Sequence, residues 1–255
     1  MKIATWNVNS LRVRLPHVLD WLKEHQPDVI ALQETKVLDV DFPLEAIRDA
    51  GYEAVFSGQK SYNGVALLSR HPIKNVIIEL PSFNDPQKRV LGATIENIRI
   101  INLYVPNGET LESPKYHYKL MWLEHFKQLL IEEMKHSERL IILGDFNIAP
   151  EDQDVHDPAA FDGQVLCSEP ERKALKALLA LGLKDSFRLH SQPDESYSWW
   201  DYRLNSFKRN KGARIDHILS NFALSSQCTN CFIDKNPRAA ERPSDHAPVL
   251  AEFLA

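Results

Sequence analysis

The sequence has few of the features that mark membrane-embedded or secreted proteins. It contains only three cysteines in 255 residues, and a small, odd number of cysteines is typical of reduced thiols in the cytosol. Its apolar runs, such as Leu140–Leu143 and Ala177–Leu181, are far shorter than the roughly 20 residues that span a bilayer. Met1 and Lys2 lead straight into a strand-like segment rather than into a signal peptide. We therefore expect a cytoplasmic protein that does not associate with membranes.

Positive charge is also scarce. Lysine and arginine number 30 against 35 aspartate and glutamate residues, which gives a formal net charge of −5. A surface that binds nucleic acid is expected to be basic, so this balance argues mildly against such a partner. The hydrophobic fraction of 44% and the charged fraction of 25% are those of an ordinary globular protein.

Two of the cysteines, Cys228 and Cys231, form a C-x-x-C pattern. A structural zinc site usually has a second ligand pair at a matching spacing, and none follows in the sequence. We expect two packed thiols here, and a zinc or redox role is the less favoured alternative.

The hydrophobic periodicity predicts two similar runs of strands and helices in a single domain. This order favours two sheets packed face to face with helices outside. The predicted strands are 3–8, 29–32, 52–57, 64–70, 76–80, 89–96, 99–105, 139–143, 197–202, 214–220, 231–234 and 249–253. The predicted helices are 15–22, 43–50, 114–136 and 168–181, the last opened by a capping box at Ser168 and Glu171.

Polar side chains recur where the apolar strands end. Glu34 follows the second predicted strand, and Asp145 follows the strand after the long helix. Such side chains can converge at one edge of a sheet. A group of carboxylates repels itself unless a cation lies among them, and oxygen ligands select Mg²⁺ or Mn²⁺. The predicted site is made of Asn7, Glu34, Asp145, Asn147, Asp216, His217, Asp245 and His246.

A hard divalent ion with acidic ligands is the usual apparatus for displacement at a phosphate ester. In such a site Asn147 could donate to a non-bridging phosphate oxygen, with Tyr104 and His246 assisting. The sequence has no G-x-x-x-x-G-K-[ST] loop for a nucleoside triphosphate. The candidate chemistry is therefore phosphoester hydrolysis without a nucleotide cofactor.

Basic and aromatic residues lie beside this predicted site. The basic run Lys208–Arg214 directly precedes Ile215 and Asp216, and it is either a solvated turn or a set of contacts to a phosphate backbone. Trp199 and Trp200 form an aromatic segment that is more often core, although an exposed tryptophan can stack on a base. The residues alone leave both questions open.

The chain also carries a series of motifs at Trp6–Arg12, Leu32–Lys36, Asn102–Gly108, Gly144–Asn147, Ser198–Arg203, Arg214–His217 and Pro243–Val249. Taken in order, they resemble the exonuclease III family of DNA-repair enzymes, within the endonuclease/exonuclease/phosphatase superfamily. The resemblance covers essentially the whole chain. Gly-Asp-x-Asn and Ser-Asp-His are shared across the superfamily, whereas Tyr-Val-Pro-Asn-Gly, Trp-Asp-Tyr-Arg and Arg-x-Asp narrow the resemblance to the DNA-repair branch.

The resemblance implies a four-layer α/β sandwich with two mixed sheets, forming one domain over residues 1–255. It implies that Glu34, helped by Asn7, holds a catalytic Mg²⁺ for which Mn²⁺ can substitute. Asp245 would share a second or alternative metal position. The full set of implied metal-site residues is Asn7, Glu34, Asp145, Asn147, Asp245 and His246.

The resemblance also implies catalytic roles. Asp145 would activate the attacking water or protonate the leaving group, and Asn147 would orient the phosphate and stabilise its developing charge. His246, oriented by Asp216, would contact the scissile phosphate together with Tyr104. The implied DNA contacts are Lys88, Arg89, Asn107, Trp199, Arg209, Lys211, Arg214 and Ile215, of which Trp199 and Ile215, with Ala213, would shape a pocket for an abasic sugar.

The family cuts duplex DNA 5′ to an abasic site and removes nucleotides or blocking groups from 3′ ends, so we expect a monomeric enzyme with these activities. Two alternatives are weighed: a superfamily relative that hydrolyses phospholipid or inositol phosphates, and an inactive DNA-binding or protein-binding module. All the residues that the chemistry needs are present, which disfavours the inactive module. Trp200 stands where bacterial relatives often carry phenylalanine, and the acidic loop 151–168 shows no clear family signature.

Overall fold

Strands and a few helices account for the ordered framework of the molecule. The computed structural model of the chain describes residues 1–81 and 83–254. The strands are β1 Lys2–Asn7, β2 Val29–Gln33, β3 Glu53–Ser57, β4 Val65–Ser69, β5 Lys74–Ile77, β6 Val90–Ile95, β7 Ile98–Tyr104, β8 Leu140–Asp145, β9 Leu183–Asp185, β10 Asp216–Asn221, β11 Cys228–Ile233 and β12 Val249–Phe253. The α-helices are α1 Leu11–His25, α2 Leu44–Asp49, α3 Pro114–His136, α4 Pro158–Phe161, α5 Glu169–Leu179 and α6 Phe222–Ser225.

The strands form two six-stranded sheets, with the orders β11-β12-β1-β2-β4-β3 and β5-β6-β7-β8-β10-β9. In the first sheet β1 and β2 run parallel, and in the second β7 and β8 run parallel. The other neighbouring strands are antiparallel. The two mixed sheets expected from the sequence and its resemblance are therefore confirmed.

Successive strand residues face opposite layers, as the period of two requires. Ile3 of β1 joins the cluster between the sheets, whereas the next residue, Ala4, packs with Leu22 of α1 outside the first sheet. Outside the second sheet, Phe126 of α3 and Leu175 of α5 pack on strand residues. The molecule is thus the expected four-layer α/β sandwich, with helices on both outer faces.

The helix boundaries follow capping chemistry that is visible in the sequence. Ser113 accepts a hydrogen bond from the backbone N–H of Lys115, with Pro114 at the first helical position of α3. At the start of α5, Ser168 and Glu171 form the predicted capping box. Within the part of the chain that the structure describes, no helix is both long and apolar enough to cross a membrane.

One predicted strand is wrong. Residues 197–202 do not join either sheet: Trp199 makes only isolated bridges, to Ala213 and to His246. The backbone N–H of Trp199 bonds to Ala213 and that of Trp200 to Asp245, so the segment connects two loops instead of continuing a ladder. Aromatic residues favour strands mainly through packing, and here that packing takes place in a loop.

Other differences are smaller. Strand β9 was not predicted, because its three residues are too few to show an alternating pattern. The predicted strand 76–80 lies earlier, at Lys74–Ile77. The segment 151–168, interpreted from the sequence as an acidic loop, contains the short helix α4 and a 3₁₀ turn at Asp152–Asp154.

The C-x-x-C pattern lies in strand β11. Cys231 is buried in the cluster between the sheets and Cys228 packs against that cluster. Burial raises the pKa of the Cys231 thiol well above its usual value, which keeps it protonated and unreactive. These positions agree with two packed thiols.

Gly144 of β8 lies at a point where strands β7 and β8 approach each other closely. Its φ of +144° is in a region that favours glycine, and a Cβ there would lie 1.9 Å from the carbonyl oxygen of Leu103 on β7. We expect Gly144→Ala to lower the free energy of unfolding in urea by about 3 kcal/mol. The matched control is Gly163→Ala, with φ +63° and nothing within 4 Å of its Cβ, which should cost only about 1 kcal/mol. Equal losses in the two variants would contradict the role of the close strand approach.

Candidate active site

The predicted site residues meet at one edge of the sandwich, with the exception of His217. Its ring is buried between the carbonyl of Ile148, 2.9 Å from Nε2, and the guanidinium of Arg214, 3.1 Å from Nδ1. Asn7 ends β1 and pairs with Gln33 of the parallel strand β2, which places Glu34 just beyond that strand. In the second sheet Tyr104 ends β7 and pairs with Asp145 at the end of the parallel strand β8. Because the sheets pack face to face, the carboxyl ends of both parallel pairs converge. This is the convergence that the strand-end pattern predicts.

Three side chains form a compact group with the geometry of a metal site. The ligand atoms of Glu34, Asp145 and His246 all lie within 4.8 Å of one another. The carboxamide of Asn7 lies between the carboxylates, with Nδ2 2.9 Å from Glu34 Oε1 and 2.9 Å from Asp145 Oδ2. Carboxylate and amide oxygens with one imidazole suit a hard divalent cation such as Mg²⁺ or Mn²⁺. Lys36 Nζ, 2.8 Å from Glu34 Oε2, places a positive charge against the outer side of this group.

His246 is held in one orientation by Asp216. Its Nδ1 lies 2.8 Å from Asp216 Oδ2, and the same oxygen accepts a hydrogen bond from Ser198 Oγ. Its Nε2 lies 3.8 Å from Asp145 Oδ2. Burial lowers the pKa of His246, but the carboxylates of Asp216 and Asp145 outweigh that effect and raise the pKa to about 10. The two carboxylates therefore favour the protonated ring, which can donate from Nε2.

Asp145 has the properties of a group that exchanges protons near neutrality. Burial raises its pKa to about 7, although the His246 imidazolium opposes the shift. Its Oδ1 accepts a hydrogen bond from the backbone N–H of Asn147, and its Oδ2 accepts one from Asn7. A cation bound beside Asp145 would favour its ionised form. The carboxyl is thus fixed in place and close to the pH at which it can act as acid or base.

Asn147, Asn107 and Tyr104 line the adjoining surface. Asn107 Nδ2 donates to Asn147 Oδ1 at 3.1 Å, and Asn147 Nδ2 donates to the carbonyl of Val105 at 2.9 Å. Burial raises the pKa of Tyr104 well above its usual value, and the Glu34 carboxylate adds to the shift. The phenol therefore remains a neutral donor beside the cluster.

Asp245 faces a different pair of side chains. Its Oδ1 accepts a hydrogen bond from Asn9 at 2.9 Å, and its Oδ2 accepts one from the indole N–H of Trp199 at 3.1 Å. The carboxylate therefore fixes the ring of Trp199 beside the site. Its role as a metal ligand stays a prediction.

The residues predicted to contact DNA surround the cluster on two sides. On one side a cavity of about 680 Å³ is lined by Arg89, Tyr104 and Asn107, and the Arg89 guanidinium lies 4.6 Å from the Tyr104 ring centre. On the other side Trp199 packs against the buried apolar residues Ala213 and Ile215. The remaining predicted contacts are Lys88, which is half-buried, and Arg209 and Lys211, which are exposed.

Arg214 is the exception, and its prediction as a DNA contact is wrong. Only 1% of its side chain is exposed, and its Nε and Nη1 lie 2.7 and 2.8 Å from carboxylate oxygens of Asp154 and Asp185. The neighbouring basic residues suggested a surface position. Arg214, however, directly precedes the buried residues Ile215 and Asp216, where the chain enters the sandwich.

Lys119 was missed by the sequence analysis. It is fully buried and donates hydrogen bonds to the carbonyls of Asn107 and Asn147 and to the Glu171 carboxylate. The signal was present in the sequence: Lys119 lies three residues from Tyr116 and from Trp122 on the apolar stripe of α3. A lysine on a buried helix stripe requires a buried partner.

The burial of Arg214 has a measurable consequence. Arg214→Met leaves the Asp185 carboxylate without its guanidinium partner, so we expect a loss of about 3–5 kcal/mol in the free energy of unfolding. The control is Arg209→Met, an exposed position that should change stability by less than about 0.5 kcal/mol. Urea denaturation measures both. A fully stable Arg214→Met protein would show that the buried cluster contributes nothing.

Comparison with known proteins identifies the family of this chain. Residues 4–246 match the endonuclease/exonuclease/phosphatase family model. The chain is 39% identical to exodeoxyribonuclease III of Haemophilus influenzae, with 99% of this chain and 100% of that protein covered. The structure superposes with a TM-score of 0.98 on a 3′ phosphatase from Neisseria bound to a product DNA hairpin, at 46% identity, and 0.96 on an AP endonuclease from Archaeoglobus fulgidus, at 41% identity. Both superpositions cover 100% of each chain. The chain therefore belongs to the endonuclease/exonuclease/phosphatase family, and within it to the exonuclease III branch.

Proposed function

We propose that this protein is a Mg²⁺-dependent DNA-repair phosphodiesterase that hydrolyses duplex DNA 5′ to abasic sites and removes nucleotides or blocking groups from 3′ ends. The observation that carries the proposal is the compact group of Glu34, Asp145 and His246. The names of the relatives support DNA as the substrate: one is an exodeoxyribonuclease, one a 3′ phosphatase bound to DNA and one an AP endonuclease. We also propose that the protein is a cytoplasmic monomer, as expected from the sequence.

In this proposal the cation is held mainly by Glu34 with Asn7, and Asp145, Asn147 and Asp245 complete the candidate ligand set. His246 would join this set only in its neutral form, because an imidazolium has no free lone pair for a metal. Mn²⁺ would substitute for Mg²⁺, since both prefer oxygen ligands. When bound, the ion neutralises phosphate charge and polarises the scissile group. Its fit to the site rests on the donor set and the 4.8 Å spread of the ligand atoms.

Asp145 is the proposed acid or base. In the hydrolysis a water oxygen forms a bond to phosphorus while the bond to the 3′ oxygen breaks, leaving a 3′ hydroxyl and a 5′ phosphate. Asp145 either accepts the proton of the attacking water or supplies one to the leaving oxygen. Without the cation, burial raises its pKa to about 7, in the range where a carboxyl can act as acid or as base.

The phosphate is proposed to lie against His246 and Asn147. The His246 imidazolium donates from Nε2 to a non-bridging oxygen, while Asp216 keeps its Nδ1 proton in place. Asn147 donates from its carboxamide to the charge that develops on phosphorus-bound oxygens, in place of its 3.3 Å contact with Asp145 Oδ2. Tyr104 adds a neutral phenol donor on the same side.

Substrate choice is proposed to come from the two flanks of the cluster. The apolar wall of Trp199, Ala213 and Ile215 fits a sugar that lacks a base. The cavity beside Arg89 fits the charged backbone. The acidic excess of the chain fits this proposal, because Glu34, Asp145, Asp216 and Asp245 belong to the site and account for most of the net charge of −5.

The proposed chemistry is tested with three duplex substrates: one with a single abasic site, one with a 3′ phosphate and one with blunt ends. We expect Mg²⁺-dependent cleavage of these substrates and no turnover after complete chelation of divalent ions. Asp145→Asn should reduce cleavage by about 10²–10⁴-fold, because it removes the acid–base group. The control is Asp20→Asn, an exposed carboxylate on the outer helix α1. Near-normal cleavage by Asp145→Asn, or turnover without divalent ions, would refute the assignment.

The charge distribution makes a second prediction. Binding of abasic duplex by the Asp145→Asn protein should weaken steeply as salt rises. Lys211→Met should lower the slope of log K against log salt by about 1, because Lys211 is a proposed phosphate contact. Lys135→Met, at the end of α3 and paired with Glu132, serves as the control. Tight binding that is indifferent to salt would rule out an electrostatic DNA surface.

A further inference from the structure

A buried ion pair lies directly behind the proposed phosphate contacts. Lys119 projects from α3 and Glu171 from the first turn of α5, and the side chains of both are 0% exposed. Lys119 Nζ donates to Glu171 Oε1. Burying two charges is costly unless every donor and acceptor finds a partner, so the remaining partners of this pair indicate what it does.

The other two hydrogens of the Lys119 ammonium are donated to the loops that carry Asn107 and Asn147. Nζ lies 3.1 Å from the carbonyl oxygen of Asn107 and 2.7 Å from that of Asn147. An ammonium group has three donors, and here each has an acceptor. Asn107 lies in the loop after β7 and Asn147 in the loop after β8, so one side chain joins the loops that follow both strands of the parallel pair.

The side chains of these asparagines face the site and bond to each other. Asn107 Nδ2 donates to Asn147 Oδ1 at 3.1 Å, and Asn147 Nδ2 lies 3.3 Å from Asp145 Oδ2. The backbone of Asn147 is left-handed, with a φ of 49°, a conformation that costs energy for a residue with a side chain. The ammonium of Lys119 bonds to the carbonyl of this residue and so helps to hold the conformation that aims its carboxamide.

Glu171 extends the connection to a third loop. Besides the ammonium, its carboxylate accepts the backbone N–H of Leu166 and that of Ser168, each at 3.1 Å. The Ser168 hydroxyl also donates to it. Glu171 thereby fixes Lys119 against the segment that precedes α5, next to the apolar wall of the site.

We propose that Lys119, held by Glu171, is a positioning residue that sets the carboxamides of Asn107 and Asn147 at the phosphate. This inference rests on the proposed function of the site. A neutral, well-packed replacement of the pair would preserve the fold, but it would leave both carbonyls without their shared donor. A displacement of about 1 Å in a phosphate contact can cost on the order of 10²-fold in rate.

Three variants separate positioning from stability. Lys119→Met leaves the Glu171 carboxylate buried without its cation and should lose both stability and activity. Lys119→Met/Glu171→Gln removes both charges and should recover most of the stability in urea. Its kcat on the abasic duplex should nevertheless stay about 10²-fold below the wild type, with KM within about 3-fold. The control is Lys127→Met on the same helix, where the lysine is paired with the exposed Glu124. Recovery of kcat together with stability in the double variant would overturn the proposal.

A second readout does not depend on DNA cleavage. The side-chain amide resonances of Asn107 and Asn147, assigned with Asn→Asp variants in ¹⁵N-labelled protein, report the carboxamide geometry directly. We expect both to shift in the double variant, while those of the exposed Asn230 on β11 stay in place. Unchanged Asn107 and Asn147 resonances would overturn the positioning role, whatever the activity. Shifted resonances in a protein whose wild type cleaves none of the DNA substrates would support the positioning and refute the proposed function alone.

Discussion

The repulsion between the half-buried carboxylate of Glu34 and the buried carboxylate of Asp145 at one sheet edge is the constraint on which this site depends. Glu34 and Asp145 share a space with His246 in which all three ligand atoms lie within 4.8 Å. If nothing compensated their negative charges, the carboxylates would move apart or take up protons. The His246 imidazolium, itself stabilised by Asp216, supplies part of the compensation. Lys36, with Nζ 2.8 Å from Glu34 Oε2, supplies a further part. A bound divalent cation would add to this compensation, which fits the proposed dependence of the chemistry on metal.

The fold creates this crowding through its two parallel strand pairs. Antiparallel neighbours alone would send successive strand ends to opposite edges, whereas β1–β2 and β7–β8 deliver theirs to the same edge. Directly after these strands, Glu34 and Asn147 adopt left-handed backbones with φ of 50° and 49°. Strained conformations of this kind concentrate at functional sites, where the surrounding structure holds them. Lys119 is part of that surrounding structure, because it bonds to the carbonyl of Asn147.

Much of the fold and of the site could be predicted from the sequence. Strand alternation and helix caps are local signals, so the two sheets, the long helix and the capping box at Ser168 were predictable. The acidic residues of the site were predictable because carboxylate and amide side chains recur directly after apolar strands. The role of Arg214 was not, since its partner Asp154 lies far along the chain. The burial of Lys119 could be predicted from the apolar stripe of α3, but its partner Glu171 could not. The prediction of a strand at residues 197–202 was wrong for a related reason, since the hydrogen-bond partners of this segment lie in two separate loops.

The most direct test of the central claim is the position of a bound metal ion in a crystal soaked with Mn²⁺ and measured at a wavelength where manganese scatters anomalously. The account predicts an anomalous peak in contact with the Glu34 carboxylate, beside Asn7 and Asp145, at a Mn²⁺ concentration that supports DNA cleavage. The same soak of a Glu34→Gln crystal should show a weakened peak or none. A wild-type crystal without a peak at these residues, at a concentration that sustains cleavage in solution, would contradict the account.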